Sequence, residues 1–306
     1  MIVRRARVAF APVAFVLLWS TGFVGAKYGL PYADPFTFLA VRLAIASALL
    51  IALVALTRSA WPTSVSHVRH AAVVGLLLHA GYLGGVFYAI GQGLPASVAA
   101  VVVSLQPVLT AALATRVLGE RLVSMQWLGL ALGVGGVALV VAPGLAASDA
   151  GSLPAVGVLG CLVALATGTA GTLYQKRHGD QIPLLAGTAV QYAAAALALL
   201  VAAAATESMA IRWTGEFVAA LAWLVLALSL GAILLLLLML RRGSAASVSS
   251  LFYLVPPATA VEAYLLFGER LPPLSLAGVV LAAAGVALVL RRAPVGAVTS
   301  SIEEDR

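Results

Sequence analysis

The chain contains the same passage twice. Pro107, Thr110 and the run Gly119-Glu120-Arg121-Leu122 return 149 residues later as Pro256, Thr259 and Gly268-Glu269-Arg270-Leu271. Gly129 then matches Gly278, and the run Gly136 to Val140 matches Gly285 to Val289; without a gap, about 15 of 34 positions agree. Self-similarity at this spacing marks a duplicated structural unit. The copies are too apolar for a soluble array. Of 306 residues, 62% are hydrophobic and only 9% are charged, against about 25% charged in soluble domains. With a mean hydropathy of +1.08, the chain belongs in a bilayer.

A helix needs about 17–25 apolar residues to cross the hydrocarbon core. Ten such stretches fall near 9–27, 36–57, 71–90, 96–117, 123–142, 154–175, 183–204, 217–240, 245–267 and 273–290. The uncharged block from Ala71 to Thr115 is too long for one helix and divides at Gly91-Gln92-Gly93-Leu94-Pro95. Long Ala/Leu-rich runs predict helices rather than the short alternating strands of a barrel. Arg4, Arg5 and Arg7 precede the first run as in a signal peptide. That run continues uncharged to Ala26 without a small-residue cleavage site, so it reads as a retained span.

Cations orient such a chain, because loops rich in Lys and Arg stay on the cytoplasmic side. With the N-terminus inside, the inner segments hold Arg4, Arg5, Arg7, Arg58, Arg69, Arg116, Arg121, Lys176, Arg177, Arg241, Arg242, Arg291, Arg292 and Arg306. Only Lys27, Arg212 and Arg270 fall outside. Both termini are therefore expected in the cytoplasm, with the chain in the plasma (inner) membrane.

The fourth and fifth spans match the ninth and tenth, so one repeat holds five spans. An odd number inverts the second copy. The expected fold is an all-α polytopic membrane protein of ten transmembrane helices, arranged as two inverted five-helix repeats. These cover 9–142 and 154–291, followed by a polar tail, 292–306, expected to be cytoplasmic and disordered. Thr21, Gly22, Gly25 and Tyr28 recur as Thr167, Gly168, Gly171 and Tyr174, a weaker echo of the same plan. Inverted repeats around a midplane site are the basis of alternating access in many transporters.

Other classes find little support. The net charge of +7 is spread over short loops without a basic, aromatic-interleaved patch, which argues against nucleic acid. Cys161, the single cysteine, lies in an apolar run and reads as a small buried hydrophobe. No Gly-x-x-x-x-Gly-Lys-Ser/Thr loop for nucleotide binding occurs. An intramembrane enzyme needs a deep carboxylate pair, a nucleophile with its base, or metal ligands. Here His67, His70, His79 and His178 are scattered, and Asp34, Asp149 and Asp180 lie in loops. No cofactor, metal or protein partner is expected; the partners are lipid and a small-molecule substrate. A membrane sensor or structural protein is the alternative, with an enzyme last.

The pattern Leu17-Leu18-Trp19-Ser20-Thr21-Gly22-Phe23, followed by Lys27, Pro31 and Arg42, resembles the opening of the EamA-type family of the drug/metabolite transporter superfamily. Each half also ends as that family does: a proline in the fourth helix, a Gly-Glu turn, then a Gly-rich fifth helix. The resemblance covers 9–142 and 154–291. It implies ten helices in two repeats and the movement of small metabolites such as amino acids, more often outward. Ser20 departs from the Gly that many relatives carry after the first-helix Trp.

Polar groups at membrane depth are costly, about 2.5–3.5 kcal/mol for a charge at helix centre, and are retained where they face a cavity or partner. Glu262 is the sharpest, because its match in the first repeat is the apolar Leu113. It suits cation recognition or proton coupling. Arg42, at comparable depth, either binds an anionic carboxylate or locks onto Glu262 or helix carbonyls. His79 lies near the middle of the third span as a cavity or proton-relay group, with Tyr82 on much the same face. Gln106 precedes Pro107, and Tyr253 precedes Pro256-Pro257, at matching depths. Proline removes a helical donor and frees a carbonyl, so Pro107, Pro256 and Pro257 are expected to break helices around a binding centre. Trp19 and Gln191, with Tyr192, complete the substrate-binding candidates. Lys27 reads as an interfacial cation, and the Leu234-to-Leu238 run as a lipid-facing surface.

Overall fold

Among the described residues, the regular secondary structure is all helical, with segments apolar enough to cross a membrane. The computed structural model describes residues 2–117, 123–146, 153–232, 235 and 250–290. The Gly119-to-Leu122 turn, the Leu234-to-Leu238 run apart from the backbone at 235, the cations Arg241, Arg242, Arg291 and Arg292, and the tail 292–306 lie outside the described residues.

Helix α1 covers Ile2–Gly29 and α2 covers Pro35–Thr57. Helix α3 (Val65–Gly75) passes through a π-helical turn, Leu76–Gly81, into α4 (Tyr82–Gly91). Helices α5 (Ala96–Val103) and α6 (Gln106–Val117) share one span, interrupted at 104–105. There follow α7 (Ser124–Ala146), α8 (Ala155–His178) and α9 (Leu184–Thr206). Helix α10 (Gly215–Ala222) continues as a π-helix, Trp223–Ala232. A 3-10 turn, Ser250–Leu254, opens into α11 (Val255–Phe267), and α12 is Pro273–Leu290.

Among the described residues, seven helical segments are long and apolar enough to cross a bilayer: Pro35–Thr57, Val65–Gly91, Ala96–Val117, Ser124–Leu145, Ala155–His178, Leu184–Thr206 and Gly215–Ala232. Helices are what lipid demands, because every backbone polar group must be satisfied within the segment. Prolines set several starts: Pro35 and Pro273 open α2 and α12, while Pro95, Pro154 and Pro183 directly precede α5, α8 and α9. At these positions the missing N–H costs nothing. Ser64 and Thr214 accept hydrogen bonds from His67 N–H and Phe217 N–H, capping α3 and α10.

Contacts between the two halves come in exchanged pairs. Helix α1 packs on α11, as α8 packs on α6; α1 meets α10 and its π extension, as α8 meets α3 and α4. Helices α2 and α9 pack together, as do α7 and α12. The last pair runs antiparallel. Gln126 Nε2 donates to Val289 O at 2.8 Å, while Ser275 Oγ donates to Val140 O at 3.3 Å. Between these ends the backbones touch at glycines. A Cβ on Gly285 would stand 2.6 Å from Gly129 O, and one on Gly278 would stand 2.6 Å from Gly136 O. Since Gly129 matches Gly278 and Gly136 matches Gly285 in the repeat, this is one contact made twice. Fully buried Phe38, wedged against Phe87 and Phe217 with centroids 5.5 and 5.0 Å away, anchors α2, α4 and α10.

Candidate functional site

The two proline breaks fall in register. Helix α6 restarts at Gln106 with Pro107 second, and α11 restarts at Val255 with Pro256 second, each after a tightened turn. Pro257 occupies the next position of α11. One turn further on, Thr110 and Thr259 occupy matched positions, and each hydroxyl is buried without a partner. The side chain of Tyr253 lies outside the described set.

Three polar groupings lie within the bundle, the second and third of them on the broken helices themselves. In the first, Arg42 Nε and Nη2 donate to Ser229 Oγ at 3.3 and 3.2 Å, while Nη1 is buried with no partner. Arg42 is 3% exposed and stands 5.9 Å from the Phe87 ring centre. Tyr192 OH reaches Ser229 O at 3.5 Å, and the His79 ring meets Tyr192 edge-on at 4.7 Å. His79 Nε2 lies 3.2 Å from Gln191 Oε1. Both π-helical segments feed this grouping, one through His79 and the other through Ser229. Such segments are rare and cluster at functional sites. Arg42 does not lock onto Glu262; its partner is Ser229.

In the second grouping, Ser20 Oγ donates to Glu262 Oε1 at 2.6 Å, and Glu262 Oε2 has no partner. Ser20, the departure from the usual glycine, thus supplies the partner of the unmatched Glu262. Next to Ser20, Trp19 packs with Phe15 and Phe252 at centroid distances of 5.3 and 5.0 Å. In the third, Gln106 Nε2 donates to Gly168 O at 3.1 Å and Thr172 Oγ1 at 2.8 Å. Tyr82 reaches the same glycine: a Cβ there would lie 2.7 Å from its ring.

The structure therefore joins His79, Gln191 and Arg42, joins Glu262 to α1 beside Trp19, and joins Tyr82 to Gln106. A separate apolar cleft of about 400 Å³ between α2 and α9, lined by Val41, Ala44, Leu197 and Leu200, contains none of them. Sequence reasoning passed over Ser229 and Thr172. The available signal for Ser229 was its isolation: it is the only hydroxyl in the run Trp223–Ala232.

At one end of the bundle, two glutamates hold helix starts. Glu207 accepts from Phe36 N–H and Thr37 N–H, each at 2.8 Å, and from Thr37 Oγ1 at 2.7 Å. Glu269 accepts from Ala96 N–H at 3.1 Å, Ser97 N–H at 3.3 Å and Ser97 Oγ at 2.8 Å. It also pairs with Lys27 Nζ at 2.5 Å. Gly268, at φ +67°, takes the left-handed turn that ends α11 and presents Glu269. Burial pushes the Glu269 carboxyl up, but the donors from Lys27, Ser97 and Ala96 and the Lys27 charge outweigh it, leaving the carboxyl below its ordinary value.

Both halves match the model of the EamA-like transporter family, over residues 7–142 and 155–291. The chain belongs to that family. YvbV of Bacillus subtilis, an uncharacterized transporter, is 30% identical over 93% of this chain and 92% of its own length. A probable terminal-alkyne amino-acid exporter of Streptantibioticus cattleyicolor is 28% identical over 94% of each chain. A solved crystal structure superposes with a TM-score of 0.64 at 21% identity, covering 92% of this chain and 96% of the other, and so shares its fold. Membership of the EamA-like family makes this a multi-pass membrane protein and points to transport rather than catalysis.

Proposed function

We propose that this protein is a secondary transporter that exports a small organic metabolite, such as an amino acid or related compound, by alternating access. Ten spans form two five-helix repeats of opposite orientation, with both termini in the cytoplasm of a plasma-membrane protein. The observation that carries the reading is the register of the two breaks. Proline interrupts the fourth span of each repeat at the same position. Gln106 adjoins the first interruption with Tyr82 close by, and Trp19 packs on Phe252 at the second, with Glu262 further along α11; His79 and Gln191 belong to the separate Arg42 grouping. Discontinuous helices at matching depth are how transporters of this architecture build a central site.

The antiparallel packing of the matched helices α7 and α12 supports opposite orientation of the repeats. Relatives named as transporters, one of them a probable amino-acid exporter, support the cargo class and direction. In this arrangement the Lys27–Glu269–Ser97 contacts close the outward end, and opening outward separates them. Glu262 and His79 are the groups placed to couple movement to an ion. The test is counterflow in liposomes loaded with single metabolites. Exchange of an unmodified compound supports the reading; product formation or absence of exchange across an amino-acid and organic-acid panel contradicts it.

A further inference from the structure

The Arg42 guanidinium carries a charge that it cannot lose, since it stays protonated in proteins. It is 97% buried in a span, counting from its 3% exposure. Its described hydrogen-bond partner is neutral: Ser229 Oγ takes the edge formed by Nε and Nη2. The end of the fork is unsatisfied, because Nη1 is buried with no partner. At that end a guanidinium presents parallel N–H groups from Nη1 and Nη2, the geometry that donates to both oxygens of a carboxylate. The surroundings hold the fork in place. Phe87 backs the guanidinium, Tyr192 fixes the backbone of Ser229, and His79 packs on Tyr192. A charge this deep needs a counter-charge, and none of the hydrogen-bond partners supplies one.

We propose that Arg42 recognises the carboxylate of the cargo through the unsatisfied end of its fork, with Ser229 as its positioning residue. The inference rests on the transporter reading and narrows the cargo to water-soluble organic acids, zwitterionic or anionic. Amides and decarboxylated amines of the same skeleton, which lack the carboxylate, are poor cargo.

The test pairs binding with flux. Purified protein is screened by thermal shift against leucine, phenylalanine, glutamate, succinate and benzoate, each beside its amide or decarboxylated amine, and against palmitate. Binding acids are then run in liposome counterflow with their carboxylate-free counterparts. At least one soluble acid is expected to bind about tenfold or more tightly than its amide, as a charge-assisted bidentate contact requires. Arg42→Lys, which keeps charge but loses the fork, is expected to shrink that ratio about tenfold. Ser229→Ala leaves the guanidinium in place and guards against a misfolded Arg42 variant; it is expected to lower the acid-to-amide ratio several-fold. In the binding assay, three results overturn the proposal: acids and amides binding alike, palmitate alone binding, or Ser229→Ala weakening both members of a pair equally. Selective acid binding without counterflow leaves Arg42's role standing and removes the transporter reading. Counterflow of amides as fast as acids does the reverse.

Discussion

Helices α7 and α12 and the broken pair α5–α6 and α11 descend from the same duplicated stretch, yet they are built in opposite ways. The α7/α12 seam is continuous helix, glycine against glycine, with polar contacts only toward its ends at Gln126 and Ser275. The α5–α6 and α11 segments are broken at Pro107 and Pro256, hold the unpartnered hydroxyls of Thr110 and Thr259, and carry Gln106 and Glu262. A seam of touching backbones has no slack, because neither partner has a side chain that can rotate away. A break near the middle of a span leaves two rigid pieces joined by one tightened turn, which is where a helix can bend. In the proposed transport cycle, this difference suits the seam to support and the broken helices to movement.

The largest expected effect lies in the seam. Gly136→Leu drives a side chain into the backbone of Gly278 and Ala282, and Gly285→Leu does the same to its matched contact. Each is expected to destabilise by about 3 kcal/mol or more, the upper range of overpacking, read as loss of monodisperse protein or a fall in Tm. If either variant folds and exchanges cargo normally, the seam is not a rigid support.

In the broken helices the expected effect is on movement rather than stability. Pro107→Ala restores a donor within a helix and removes the reason for the interruption. Stability is expected to change by no more than about 1 kcal/mol while counterflow falls about tenfold or more. A Pro107→Ala carrier with normal flux contradicts the assignment.

A smaller effect separates the two glutamates. Glu207 caps α2 with neutral donors only, whereas Glu269 caps α5 and also holds Lys27 of α1. Thr259, 0% exposed, serves as a reporter when replaced by cysteine. Labelling of Thr259→Cys by an impermeant maleimide is expected to rise several-fold with Glu269→Gln. With Glu207→Gln it is expected to stay unchanged, although Tm falls by about 1 kcal/mol equivalent for the weakened cap. Equal effects from both glutamates would erase the distinction.

The smallest effect is in pH. The Glu269 carboxyl is held below its ordinary value, so its contribution is complete above the unfolded carboxylate value of about 4.3. It is lost as pH falls through the lower folded value. Labelling of Thr259→Cys, normalised at each pH to a solvent-exposed cysteine control because only the thiolate reacts, is therefore expected to be flat from pH 7 to about 5 and to rise only below about 4. In the Glu269→Gln background this acid-dependent rise is absent. A rise near neutral pH assigns control to a different group.

Much of this was legible in the residues. A duplicated, apolar sequence with a matched proline dictates helices and a break at the same place in each half, because both follow from local chemistry. The hydrogen-bond partners were less accessible. Lys27 reads as an interfacial cation until Glu269, 242 residues away, is brought beside it. Arg42 has two plausible anchors in sequence, and the choice of Ser229 depends on how α2 meets the second π-helix. The π segments themselves leave no mark in apolar periodicity. At the end of the first of them, Gly81 lies against Thr167 where a side chain would clash, a contact that residue preference does not announce.

Sidedness of the two Gly-Glu-Arg turns tests the central claim most directly. Cys161, the single native cysteine, is fully buried, so the background for labelling is low. Arg121→Cys and Arg270→Cys variants, each made alone, are treated on intact cells with an impermeant maleimide and again after permeabilisation. The account predicts that the Arg270→Cys protein reacts from outside and that the Arg121→Cys protein reacts only once the membrane is opened. Reaction of both from the same side would contradict it.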